Sequence, residues 1–192
     1  MILPIVAYGH PTLRRVASEI EPGHPGLDEL IGNMYETMYS AEGVGLAAPQ
    51  VNHGIRLFII DATPYEEEHP ELTGFKKVFI NPQIIEETGE EWSFNEGCLS
   101  IPKIREDVMR KPRVRIQYQD REFNSYDEVY EGIIARVIQH EYDHLEAKLF
   151  VDRINPLRKI MLKKKLSDIT NGNIEVDYKM IFPGKKKQVK VR

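Results

Sequence analysis

Cysteine is nearly absent from this chain: Cys98 stands alone among 192 residues. A single thiol excludes a disulfide within the chain and agrees with a reducing compartment. Long apolar runs are missing too. The opening Met1 to Ala7 is apolar but short, is broken by Pro4 and has no basic residues before it. It does not read as a secretory leader, and no other stretch approaches membrane-spanning length. Internal repeats and low-complexity tracts do not stand out. The expectation is a soluble, cytoplasmic protein with no membrane contact.

What is present is enough for one domain. Apolar residues make up 41% of the chain, sufficient to bury a core. Charge is unevenly spread. Residues 1–152 carry 14 Lys and Arg against 27 Asp and Glu, whereas residues 153–192 carry 12 against 3. A basic tail on an acidic body suits contact with a polyanion such as RNA. A solvated charged helix and a frayed terminus explain it with no specific partner at all, and more simply.

The most informative run is Gln139-His140-Glu141-Tyr142-Asp143-His144-Leu145. On a helix, His140 and His144 lie one turn apart on the same face. Two imidazoles so placed can grip one divalent metal. Glu141 between them is where a general base for an activated water belongs. Ile133 and Val137 fall on the same stripe, so the metal face continues into an apolar one.

The remaining pattern predicts several short strands and few helices. Leu27, Leu30, Ile31, Met34 and Met38 recur at helical spacing, giving a helix to about Ala41. Residues 43–50, Gly-Val-Gly-Leu-Ala-Ala-Pro-Gln, are too glycine-rich for a helix and read as a loop or an extended edge. Strands are predicted at 55–60, 76–81 and 114–119, with extended pieces at 84–85 and 92–94. A polar surface excursion separates 61 from 74. Asp120 to Asn124 makes a turn, and the chain returns as a strand to Tyr130. The site helix is placed from about Gly132. Ser125-x-x-Glu128 could cap an earlier start, but Val129 and Tyr130 suit a strand. A further helix runs from Pro156 to about Asp168 and ends at Asn171-Gly172-Asn173. Residues 174–182 could add a short strand, and the chain from Gly184 onward reads as disordered. The elements do not alternate as βαβ units. They predict an α+β fold with mostly antiparallel sheets packed around a central metal-binding helix. The domain reading is one catalytic unit over residues 1–168 and a basic, partly disordered extension over 169–192.

A catalytic metal usually has three protein ligands and one open position. No His follows His144, Glu146 points at the wrong angle on the same helix, and downstream only Glu175 remains. Cys98, in Glu96-Gly97-Cys98-Leu99-Ser100, is the better third ligand by elimination. A zinc peptidase with a Glu or His as third ligand is the alternative, and it leaves the Cys98 segment without a purpose.

Three segments together, residues 43–50, 96–100 and 139–145, resemble the signature motifs of bacterial peptide deformylases in content, order and spacing. The opening Ile2 to Arg14 is similar to that family's start, and the resemblance covers roughly residues 1–165. It implies a metal-dependent hydrolase that removes the formyl group from N-terminal formylmethionine of new polypeptides and releases formate. It implies Cys98, His140 and His144 as metal ligands, with one divalent ion per chain. The ion would be Fe²⁺ in the cell, replaceable by Ni²⁺, Co²⁺ or Zn²⁺ after purification. Glu141 would be the general acid/base as an activated water attacks the formyl carbon. Gln50 and the Leu99 N–H would bind the oxyanion. Backbone groups of Val44, Gly45 and Gly97 would pair with an extended peptide. Arg105 matches a family position near that peptide, and Ile133 and Val137 would line the methionine pocket. The expected partners are N-formylmethionyl nascent peptides and, through the basic C-terminal segment, the ribosome. The expected state is a monomer.

Overall fold

The structure, a computed structural model, describes residues 1–67 and 69–184. Its centre is a five-stranded antiparallel sheet in the order β2 (Gly45–Ala47), β3 (Leu57–Asp61), β4 (Lys76–Thr88), β7 (Arg113–Gln119), β8 (Ser125–Glu131). A hairpin of β5 (Trp92–Cys98) and β6 (Ile101–Arg110) stands apart from it. A parallel pair joins β1 (Ile5–Val6) to β9 (Met180–Ile181).

Helices cover both faces of the large sheet. Every residue of β3 is buried, because its alternating side chains serve two cores. Leu57 and Ile59 point to α1 (Leu27–Ser40) and its Leu30, Ile31, Met34 and Met38. Phe58 and Ile60 point to α2 (Gly132–Leu145) and its Ile134, Ala135 and Ile138. α2 therefore lies between the sheet and the hairpin, inside the molecule rather than on it. A third core joins Ile104 and Val108 of β6 to Leu162, Leu166 and Ile169 of α3 (Pro156–Thr170).

The α+β expectation, both outer helices and the start of the site helix agree with the structure. Gly132 takes φ +60°, which lets the chain pass from β8 straight into α2 without a loop. The two extended pieces predicted around 76–85 are one strand. Its register slips between Ile80 and Gln83, where Asn81 takes φ +49° and its side-chain amide pairs with both backbone groups of Ile20. The glycine-rich stretch is an edge strand at 45–47 followed by a 3₁₀ turn, Ala48–Val51, that carries Gln50. The excursion after Asp61 contains two short 3₁₀ turns, Thr63–Tyr65 and Pro70–Leu72. Strand β6 had not been anticipated. Its inward positions include Glu106 and Arg110 as well as Ile104 and Val108, so the apolar alternation is broken.

The C-terminal helix runs to Thr170, past the boundary expected at 168. Beyond it the chain turns back and β9 lies beside β1. The disorder expected for residues 185–192 lies outside the described residues. Among the described residues, no helix is long and apolar enough to cross a membrane.

Candidate active site

One turn of α2 and the tip of the β5–β6 hairpin meet at a cavity of about 410 Å³. His140 and His144 project from α2, and Cys98 ends β5. One ligand atom from each lies within 4.8 Å of the others. Cys98 Sγ is 3.4 Å from His144 Nε2. His140 turns its Nδ1 to Glu96 Oε2 at 2.9 Å, which leaves Nε2 for the cluster. A carboxylate behind an imidazole fixes the ring and raises its basicity, as metal-ligating histidines require.

Glu96 is itself held. Arg110 donates to both its oxygens, at 2.7 and 3.0 Å, and Arg136 donates to Oε1 at 3.0 Å. Burial disfavours the Glu96 charge, but the hydrogen bonds from His140 and Arg110 outweigh it and hold its carboxyl well below the usual range. Burial likewise opposes a charge on His140, yet its hydrogen bonds to Cys98 and Glu96 push its pKa well above the ordinary value. His144 goes the other way: burial and the neighbouring His140 push it down to about 3. It is a neutral imidazole, ready to ligate.

Glu141 is 4% exposed, and burial pushes its carboxyl up to about 7. Its Oε2 has no hydrogen-bond partner. A Cβ placed on Gly45 would stand 2.5 Å from Glu141 Oε1, so only glycine lets β2 pass this close. Gln50 is 2% exposed. Its Oε1 accepts from the Ala47 N–H at 2.8 Å, which aims Nε2 at Cys98 Sγ, 3.5 Å away, and at Ser100 Oγ, 3.4 Å away.

A thiol and two imidazoles converge, a carboxylate orients one of the rings, and a buried carboxylate oxygen beside them is unpartnered. A soft-to-borderline divalent ion fits that donor set.

A match to the sequence model described as polypeptide deformylase spans residues 2–160. The chain belongs to the polypeptide deformylase family. A peptide deformylase of Christiangramia forsetii is 55% identical, with 97% of this chain and 99% of that protein covered. One of Flavobacterium johnsoniae is 56% identical with the same coverage. Among solved structures, a Legionella pneumophila peptide deformylase matches at TM-score 0.79 and 36% identity, covering 90% of this chain and 98% of that one. An Arabidopsis thaliana peptide deformylase 1B in complex with an inhibitor matches at 0.80 and 32%, covering 89% and 92%.

The cavity of this deformylase-family site brings together most of the residues singled out from sequence. Val44, Gly45, Gln50, Gly97, Cys98, Leu99, Arg105, Val137, His140 and Glu141 all line it. Ile133 does not; it packs against the core under the large sheet. Arg105 lies across Gly97 and is tied back to Asn95 by bonds of 2.9 and 2.6 Å. β2 is the edge of its sheet, and β5 pairs only with β6 among the described residues, so both have a free side at the cavity.

Several contributors had escaped sequence reasoning. Glu96 lies inside the 96–100 motif, but its role depends on contacts that only the fold makes. Arg110 and Asp143 are charged residues whose burial only the fold reveals: Arg110 donates to Asp143 at 2.7 Å behind the histidines. Tyr65 and Tyr178 line the cavity from segments far from any motif, and Phe94 from just ahead of the 96–100 motif, and nothing in their local sequence signals it.

Proposed function

We propose that this chain removes the formyl group from the N-terminal formylmethionine of newly made polypeptides, releasing formate, as a metal-dependent hydrolase. The observation that carries the reading is the convergence of Cys98, His140 and His144 beside a buried, half-unpartnered Glu141, in a family of deformylases. Those three residues would hold the metal. When bound, a divalent ion supplies Lewis acidity, lowering the pKa of water towards neutrality and polarising a carbonyl.

The protein's own groups do the rest. Glu141, raised by burial, accepts a proton from the attacking water and returns it to the leaving nitrogen. The Gln50 amide and the Leu99 N–H hold the oxyanion as it forms, and removing one such donor typically costs about a hundredfold or more in rate. The free edges at Val44–Gly45 and at Gly97 accept an extended peptide by main-chain hydrogen bonds, which makes recognition nearly blind to sequence. Val137 walls the methionine side chain, and Arg105 lies where the peptide leaves. Iron(II) is the proposed metal in the cell, to be read by elemental analysis of protein purified without oxygen. The catalytic unit, residues 1–168 with the return through residue 182 packed against β1, acts as a cytoplasmic monomer. Its basic C-terminal segment, with Lys163, Lys164 and Lys165 exposed on α3, docks on the ribosome. Reversing those three charges without weakening ribosome binding would refute the docking.

The deciding experiment measures formate from formyl-Met-Ala-Ser with metal-replete protein and with Glu141→Ala. Release that the substitution abolishes is expected. No release from folded, metal-loaded protein would overturn the reading.

A further inference from the structure

Leu99 and Ser100 form the two-residue tip of the β5–β6 hairpin, since Cys98 pairs directly with Ile101. Two-residue hairpins normally close through turns with a positive φ, because those match the strand twist. Neither Leu99 nor Ser100 has one. Segments remote in sequence grip this tip at both carbonyls. The Tyr8 N–H donates to the Ser100 oxygen at 2.8 Å. The Tyr178 hydroxyl donates to the Leu99 oxygen at 2.8 Å. The two clamps are tied together, because Tyr178 precedes β9 and Tyr8 follows β1, and these strands pair.

Tyr178 also lines the active-site cavity, its ring half-buried. It lies beyond residue 160, where the family match ends. We infer that Tyr178 is a positioning residue for deformylation: by holding the Leu99 carbonyl it fixes the turn whose Leu99 N–H binds the oxyanion. The inference rests on the function proposed above. A donor that must be aimed before charge develops gains most from a rigid backbone. The Leu99 carbonyl lies in the peptide plane after its N–H, and the two planes are joined only through the φ and ψ of Leu99, so a hydroxyl that pins the carbonyl limits how far the N–H can swing.

The test is Tyr178→Phe in the full, metal-loaded chain, which keeps the ring and deletes the bond. One neutral hydrogen bond is worth about three- to tenfold. A fall in kcat of about that size is expected, with KM within about twofold, since oxyanion stabilisation acts in the transition state. Melting temperature should fall by no more than about 5 °C, the share of one hydrogen bond, and metal content should be unchanged. Amide NMR signals of Leu99 and Ser100 should shift while those of α1 do not. Tyr178→Leu, which also removes the ring's edge, should lower kcat to the same degree and not further. An unaltered kcat overturns the inference, as does a loss accompanied by lost metal or by a melting temperature lowered by more than about 10 °C. Failure of the unsubstituted chain to release formate would instead overturn the proposed function, while the Leu99 signals would still report whether Tyr178 holds the turn.

Discussion

Glu96 is where one side chain governs most. It accepts from His140, Arg110 and Arg136 at once; Glu96 and the two arginines are buried, and the His140 ring is nearly so. Its charge therefore does two things, orienting a ligand and pairing with two guanidinium groups, of which Arg110 is shared with Asp143. Glu96→Gln keeps the shape and removes the charge. Metal affinity should fall by about ten- to a hundredfold, measured by competition with a chromophoric chelator. An unchanged affinity would mean that the His140 ring is held by packing alone. The motif containing Glu96 was readable in sequence, but its role was not. Reading that role needs the register that brings β5 against α2, and a single sequence carries no such register. The ligands were legible because a helix converts spacing into direction: His140 and His144 are four apart, and that is enough. Cys98 came by elimination, and no spacing rule reaches across the forty-odd residues to its partners.

At the scale of elements, α2 is the piece the molecule is built around. Its apolar face was readable from period, and its start from Gly132. Its buried ion pairs, at Arg136 and Asp143, were not, because burial of charge leaves no periodic trace. Asp143 receives Arg110 from β6 at 2.7 Å and Arg153, which follows the 3₁₀ turn Phe150–Asp152, at 2.6 Å. Burial opposes its charge, but the bond from Arg153 and the Arg110 charge hold its pKa below normal. Asp143→Ala leaves the Arg110 side chain, 1% exposed, short of a partner. The expected loss is on the order of 3 kcal/mol of stability, read from urea unfolding. A loss below 1 kcal/mol would show that Glu96 alone satisfies Arg110. The same buried ions explain why β6 went unseen: Glu106 and Arg110 face inward where a strand pattern calls for apolar side chains, Glu106 being met by Arg158 of α3.

For the whole molecule, Asp152 joins the beginning of the chain to its end. It accepts from Arg14 in the 3₁₀ turn Pro11–Arg14 and from Lys159 of α3. Burial works against its charge, but Arg14 and Lys159 prevail and hold the carboxyl at about 2. The folded value lies below the unfolded one, so the stabilisation is complete above about pH 4 and vanishes as pH falls towards 2. Asp152→Asn should cost on the order of 1 kcal/mol at neutral pH, since water screens its half-exposed partners, and far less near pH 2. Unfolding free energies across that range will show the two curves converging, and parallel curves would refute the assignment. The α+β class was legible in sequence because element types follow local pattern. The closure of the N-terminal strand on the C-terminal one was not, because both strands are two residues long and their pairing is set by what they cover.

That closure bears on how the protein is born. β1 emerges from the ribosome early and β9 only after α3, so their pairing cannot begin until nearly all of the described chain has been synthesised. Contacts so distant in sequence form late and slowly. The ligand helix and the large sheet can assemble first, leaving the hairpin tip loosely held. An enzyme that works on unfinished proteins thus acquires its own final geometry as one of the last acts of its synthesis.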